Sequence, residues 1–302
     1  MDVLVAGGSG FIGTHLIDAL LDRGHSVTSL SRTSNPDGLA EGVAIATGDV
    51  SAYDSIEGAI EGHDAVVNLV ALSPLFEPKG GNEMHDEIHR RGTENLVRAA
   101  ENADVDRFVQ MSALGADPEG ETAYIRAKGR AEKHVTDSDL EWVIFRPSVV
   151  FGDGGEFVGF TKRLKGMFAP VVPVYPLPGG GKTRFQPIWV GDLVSMLADA
   201  VESDTHVGEI YEVGGPAVLT LRDVTNLVYE AEQRGITILP LPMPLARIGL
   251  TALGLLPGFP MGPDQYRSLQ FDNTTADNDI SAFGIETDDL TTLGEYLGLG
   301  NR

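Results

Sequence analysis

Apolar and polar positions alternate in blocks through the first half of the chain. Val3–Ala6 is a short apolar run, and Leu16, Ile17, Leu20 and Leu21 follow it at helical spacing. The same alternation predicts strands at Ser26–Leu30, Val43–Ala46, Ala65–Val70, Arg107–Met111 and Trp142–Phe145, with helices between them. The longest helix is expected over Glu83–Asn102, burying Ile88, Leu96, Val97 and Ala100. Strands alternating with helices predict an α/β fold on a doubly wound parallel sheet. Beyond Arg146-Pro147 the pattern changes. Residues 151–187 are rich in Gly and Pro and read as loop and short strand. Helical periodicity returns at Val190–Val201 and at Leu221–Gln233, the latter with Thr220 as its N-cap, and Glu209–Val213 reads as a strand. The expected organisation is a core over residues 1–150 that also takes elements from about 188–235. Residues 151–187 and 236–302 would form a smaller substrate lobe.

The turn after the first strand is Gly7-Gly8-Ser9-Gly10-Phe11-Ile12-Gly13. A glycine triplet alone is a weak signal, and a Gly-rich turn without a ligand would look the same. Strand, glycine turn and helix in immediate succession point instead to a Rossmann-type dinucleotide site. Gly7 supplies the tight turn, Gly10 admits a pyrophosphate to the backbone, and Gly13 lets the helix pack on the strand. The free amides of the helix start then face the phosphates. Near the end of the second strand, an acid would hold a ribose 2′-hydroxyl and an arginine a 2′-phosphate. This chain carries Leu30-Ser31-Arg32-Thr33-Ser34 there, with no acid. Arg32, a planar and permanent cation, with Ser31 beside it, predicts NADP(H), with NAD(H) the second choice.

Strand five ends at Met111-Ser112, and Tyr124-Ile125-Arg126-Ala127-Lys128 opens the next helix. Tyr124 and Lys128, four residues apart, share one helix face. Such a pair can do acid–base chemistry on a carbonyl: a nearby ammonium favours the tyrosinate and brings the phenol closer to neutral pH. Ser112 is placed to orient the substrate oxygen. The bland alternative is a helix start whose tyrosine packs on the sheet and whose lysine is solvated.

The glycine spacing is G-x-x-G-x-x-G, and further runs accompany it: Ser112-Ala-Leu-Gly-Ala-Asp-Pro118, Arg146-Pro-Ser-Val-Val-Phe-Gly152, Gln186-Pro-Ile-Trp-Val190 and Tyr211-Glu-Val-Gly-Gly-Pro216. With these motifs the chain resembles, over essentially its whole length, the extended and atypical short-chain dehydrogenase/reductases. It looks most like the branch related to the NAD(P)H-binding accessory subunit of respiratory complex I, whose free-standing members are often labelled NAD-dependent epimerase/dehydratases. The resemblance implies that Phe11 and Ile12 in the glycine loop line the cofactor, that Asp49 and Val50 contact its adenine, and that Val70 and Ala71 wall one side of it. It implies catalysis by Ser112, Tyr124 and Lys128, with Lys128 also on the nicotinamide ribose. The expected activity is oxidoreduction of a carbonyl or hydroxyl on a small molecule. The alternatives are a non-catalytic NADPH-binding protein, structural or redox-sensing, in a respiratory assembly, and a nucleotide-sugar epimerase or dehydratase. One departure counts against the last. The family's Asn-x-x-Gly-Thr stretch reads here His89-Arg90-Arg91-Gly92-Thr93, which puts the proton-relay role of that Asn in question.

Composition narrows the classes further. The 302 residues carry 44 acidic and 22 basic side chains, a net charge of −22, with 42% hydrophobic content. That surface argues against a nucleic-acid partner, which needs basic patches to displace counterions. The acidity, with Lys79, Lys128, Lys133, Lys162, Lys165 and Lys182 the only lysines, suggests a salt-rich cytoplasm. The chain has no cysteine, so no disulfide, thiolate zinc site or cysteine nucleophile arises. Met1 runs straight into strand one, so a cytoplasmic location without a signal peptide is expected. No run of about 20 apolar residues predicts a membrane span. His85-Asp-Glu-Ile-His89 misplaces the acid of a zinc helix, and a P-loop ending at Gly181-Lys182-Thr183 would need glycine where Pro176 stands, so neither metal nor nucleoside triphosphate is expected. The apolar stretch 241–256 reads as a small-lobe helix over the cleft or as a surface helix for a membrane or partner protein, and with Arg247 its one basic residue the membrane reading is the weaker. For the protein as a whole, a respiratory complex or a second copy of the chain is the expected kind of partner. Replacing Arg32 with Asp is expected to weaken NADPH binding far more than NADH binding in fluorescence titrations; equal losses would remove Arg32 from the 2′-phosphate.

Overall fold

A computed structural model describes residues 1–34, 38–168, 174–245, 263–268 and 270–300. Most of the apolar stretch 241–256 thus lies outside the described residues. The chain divides into two compact units. The first comprises Met1–Leu72, Lys79–Pro147 and Val190–Glu212; the second comprises Ser73–Pro78, Ser148–Trp189 and Val213–Arg302. The segment 213–235, expected with the nucleotide-binding core, falls in the second unit.

The first unit is built on β1 (Asp2–Ala6), β2 (Ser26–Ser31), β3 (Ala44–Thr47), β4 (Ala65–Asn68), β5 (Arg107–Met111) and β6 (Glu141–Pro147). With the strand Glu209–Val213 they form a seven-stranded sheet, and β1 through β6 run parallel in the order β3-β2-β1-β4-β5-β6. Strand order reverses between β1 and β4, the crevice where doubly wound sheets bind ligands. Val3, Leu4, Val5 and Ala6 of β1 are wholly buried, as expected of a central parallel strand covered on both faces. Helix α1 (Phe11–Asp22) buries Leu16, Ile17 and Leu20. Further on, α2 spans Glu57–Ile60.

The long helix is present over its predicted length but is not one regular α-helix. A short α3 (Glu83–His85) passes into a π-helical segment, Asp86–Arg91, which leads into α4 (Gly92–Asn102). Leu96, Val97 and Ala100 are buried as expected, whereas Ile88 is only half-buried and His85 and His89 take the inner positions. The wider i→i+5 turn shifts the phase of the helix face, so a strict 3.6-residue reading misplaces its first part. Helix α5 (Ala123–Thr136) starts at Thr122, whose side chain accepts the Ile125 amide.

The second unit corrects one expectation. Residues 151–187 contain a twelve-residue helix, α6 (Phe157–Phe168), where loop and short strand are expected from the sequence. The helix tolerates Gly159 and Gly166 within it, and its face buries Phe157 and Phe160 in a core with Tyr175, Leu177 and Val224. Gly179, Gly180 and Gly181 all take positive φ, 58°, 72° and 72°, so this turn is open only to glycine at low cost. Helix α7 is Val190–Glu202, in the first unit, and α8 is Leu221–Ala231, in the second. Thr220 caps α8 in a reciprocal capping box with Asp223. Among the described residues no helix is long and apolar enough to cross a membrane. Phe160→Ala is expected to lower the unfolding free energy by about 3–5 kcal/mol, read from urea denaturation; a change within error would remove α6 from the core.

Candidate active site

The glycine turn is shaped by contacts that no other residue permits. Gly7 has φ +82°, and a Cβ there would lie 3.1 Å from the Val70 amide nitrogen. Its own amide donates to the Leu30 carbonyl at 3.0 Å, so the turn is pinned between the ends of β2 and β4. A Cβ on Gly13 would run into the Gly7 carbonyl oxygen and lie 2.7 Å from the Gly8 Cα, which is why α1 can lie so close to β1. At Gly10 a Cβ would meet only the Gly7 oxygen, at 3.1 Å, so the outer side of the loop is open. Gly10 is the N-cap of α1 with no side-chain cap, and the first turn holds no acid. The amides of Phe11, Ile12 and Gly13 therefore precede the first intrahelical bond, from Thr14 to Gly10. An open cradle of helix-start amides fits a pyrophosphate.

Around this cradle Phe11, Ile12 and Val70 are half-buried and Ala71 is exposed. The Ser31 hydroxyl donates to the Thr33 carbonyl at 2.7 Å, while Arg32 is exposed and makes no ion pair with the described residues. Asp49 accepts the Ser51 amide at 3.0 Å and its hydroxyl at 2.8 Å. These bonds, with the more distant Arg32 charge, hold its carboxyl below the usual range. Val50 is buried, and Gly92 lies against its side chain.

Ser112, Tyr124 and Lys128 come from the end of β5 and the first turns of α5. Gly129 lets that helix rest on the backbone of Asp117 and Pro118, where a Cβ would find no room. The Tyr124 ring stands edge-on to two imidazoles, 5.5 Å from His85 and 5.2 Å from His89 between centroids. Lys128 is 1% exposed; its ammonium donates to the Met111 carbonyl at 2.9 Å and lies 5.8 Å from the Tyr124 ring centroid. A buried polar chain continues from there. Gln110 donates to the same carbonyl at 3.0 Å and accepts from Asn68 at 2.9 Å, and Asn68 also donates to the Thr93 hydroxyl at 3.0 Å.

Electrostatically the pair departs from the simple expectation. Burial raises the Tyr124 phenol instead of leaving it depressed by the lysine, and burial brings Lys128 down to about 8 against the pull of Glu132. The phenol is thus held protonated. His89 accepts the Leu72 amide on Nε2 at 3.1 Å, which puts its proton on Nδ1, and burial followed by the Lys128 charge keeps it neutral. Ser112 is buried, and its hydroxyl donates to Glu132 Oε1. Arg146 grips the same carboxylate through Nε at 2.9 Å and Nη2 at 2.6 Å. Sequence reasoning passed over Glu132. Its signal was the second four-residue step, Tyr124, Lys128, Glu132, along one face of α5.

The parallel sheet, its switch point and the glycine cradle define a nicotinamide-dinucleotide-binding protein. A family described as NAD(P)H-binding matches residues 7–166, and the chain belongs to that family. It is similar to NADH dehydrogenase (ubiquinone) 1 alpha subcomplex subunit 9 of Arabidopsis thaliana, 27% identical over 305 residues, 97% of this chain and 74% of that protein. It is also similar to a 3 beta-hydroxysteroid dehydrogenase/Delta 5→4-isomerase of Mycobacterium tuberculosis, 29% identical over 261 residues, 76% of this chain and 69% of that one. The fold matches the UDP-glucose 4-epimerase of Thermus thermophilus, solved with NAD, at TM-score 0.66 and 22% identity, over 96% and 98% of the two chains. Gly13→Ala is expected to cost about 1–3 kcal/mol of stability by overpacking and to abolish dinucleotide binding by calorimetry; retained affinity would move the phosphate site away from the α1 start.

Proposed function

We propose that the protein is a cytoplasmic NADP(H)-dependent oxidoreductase of the short-chain type, acting on a carbonyl or hydroxyl of a small molecule. The observation that carries this is the pairing of a protonated Tyr124 phenol with a buried Lys128 ammonium on one face of α5, in the unit that holds the glycine cradle. The amides of residues 11–13 would hold the pyrophosphate, and the exposed Arg32 the 2′-phosphate. Bound there, the cofactor supplies or accepts the hydride.

In the reducing direction the Tyr124 hydroxyl gives its proton to the carbonyl oxygen as that oxygen gains negative charge. The phenolate left behind is stabilised by the Lys128 cation and regains a proton from solvent. In the oxidising direction the same phenolate takes the alcohol proton. Burial keeps the phenol protonated and so available as the acid, but makes it a weaker donor, and the Lys128 cation offsets part of that cost by stabilising the phenolate. Ser112 stands beside the pair with its own proton engaged, so its free lone pairs are what it offers to a ligand.

A second reading is that of a cofactor-holding protein without turnover. The similarity to a respiratory-complex subunit over 97% of the chain and the engagement of Ser112 by Glu132 favour it. A nucleotide-sugar epimerase ranks below both, since Arg32 and His89 depart from that pattern. Tyr124→Phe separates the first two readings. It is expected to abolish NADPH-dependent reduction across a carbonyl and quinone panel while leaving NADPH affinity within about twofold. Turnover that survives the change, or bound NADP(H) that never exchanges in the unaltered protein, would overturn the reductase reading.

A further inference from the structure

We propose that Glu132 is a positioning residue of this site: it accepts the hydrogen bond of the Ser112 hydroxyl, so that Ser112 faces a ligand only as an acceptor, and it supplies the countercharge of Lys128. The inference rests on the oxidoreductase reading for its consequence in turnover, but its physical content belongs to the protein alone.

Three observations carry it. Glu132 is buried, 6% exposed, on the inner face of α5, one turn beyond Lys128 and two beyond Tyr124. Both of its oxygens are engaged by Arg146, the residue before Pro147 at the end of β6, and a carboxylate held in this bidentate way is an acceptor. The hydrogen between Ser112 Oγ and Glu132 Oε1 must therefore come from the serine. A serine hydroxyl has one proton and two lone pairs, so with the proton committed only acceptor capacity remains. The ligand group that meets Ser112 must then carry a proton itself: an alcohol, a carboxamide N–H or a water.

The same carboxylate is the only anion in the shell around Lys128 assembled from the described groups. The other groups there are the Tyr124 phenol on its own helix, His85 of α3 and His89 of the π-segment, the Met111 carbonyl of β5 and, beyond Glu132, the Arg146 guanidinium of β6. Helix α4 carries no charged group in this shell: Leu96 and Ala100 pack in an apolar cluster with Val135 of α5, and Thr93 ends the neutral chain through Asn68 and Gln110. Burial opposes the ammonium, and Glu132 supports it.

The test uses the full-length protein without cofactor. With six lysines in the chain, ¹³Cε-lysine NMR resolves the Lys128 titration, assigned by its loss in Lys128→Met. The wild-type midpoint is expected near pH 8. Glu132→Gln is expected to lower it by about one pH unit or more, since a buried unit charge one helical turn away is removed. Ser112→Ala should leave it in place. Glu132→Asp keeps the charge and shortens the reach. It should also leave the midpoint in place, yet cut kcat about tenfold or more, as Ser112→Ala does. The double variant S112A/E132D should lose no more than either single one. The alkaline limb of turnover in Glu132→Gln should move with the NMR midpoint.

An unmoved midpoint in Glu132→Gln, or losses that add in the double variant, would overturn the proposal and leave Glu132 as part of a structural ion pair. If Glu132→Gln does not fold, the Glu132→Asp midpoint and the double variant decide alone. A midpoint that moves as stated in a protein that reduces no substrate would retain the charge assignment for Glu132 and overturn the oxidoreductase reading instead.

Discussion

Taking the Lys128 ammonium out of water is the constraint on which the rest of this site depends. The desolvation of such a group costs several kcal/mol even after relaxation, and attraction offsets it only with good partners. Here the partners come from three directions. The end of β5 lends the Met111 carbonyl, α5 lends Glu132, and β6 lends the Arg146 guanidinium that holds Glu132 in place. Behind them, Gln110, Asn68 and Thr93 link β5, β4 and α4 through side-chain hydrogen bonds with no water needed. The polar interior is thus a connected set, and its members fix the relative heights of the strand ends where a ligand would lie.

The sheet and the cradle were legible in the sequence because their causes are local. Six apolar runs separated by helical periods are enough to order β1 through β6, and Gly7, Gly10 and Gly13 announce a backbone that must come close to itself. What escaped was set by neighbours distant in the chain. Helix α6 lies in a Gly- and Pro-rich stretch and carries two glycines itself, and its identity depends on Phe157 and Phe160 meeting Tyr175 and Leu177. Glu132 was visible as a spacing, but only β6 shows why it is there. The Tyr124 expectation weighed the lysine charge and omitted burial, which is the larger effect and acts on the phenol in the opposite sense.

The three neighbours described above differ in what their names say they do, and this chain shares its nucleotide-binding framework with all of them. Such frameworks host many reactions, and the chemistry is decided by the side chains set upon them. In this chain those side chains are polar and, apart from the half-buried Tyr124, buried. Two imidazoles, a phenol, an ammonium, a carboxylate and a serine hydroxyl lie within a few turns of α3, the π-segment and α5.

The π-segment at Asp86–Arg91 gives this arrangement a mechanical property. A single residue removed from it would return the turn to α-helical pitch and rotate everything upstream by roughly 100°. His85 would swing away from Tyr124, while Thr93 and Leu96 downstream would keep their contacts with the sheet. The segment therefore works as a phase adjuster between two halves of one rod, one half facing the Tyr124 ring and the other the core. Insertions and deletions there are a route by which related chains could exchange the groups facing the tyrosine without rebuilding the fold beneath it.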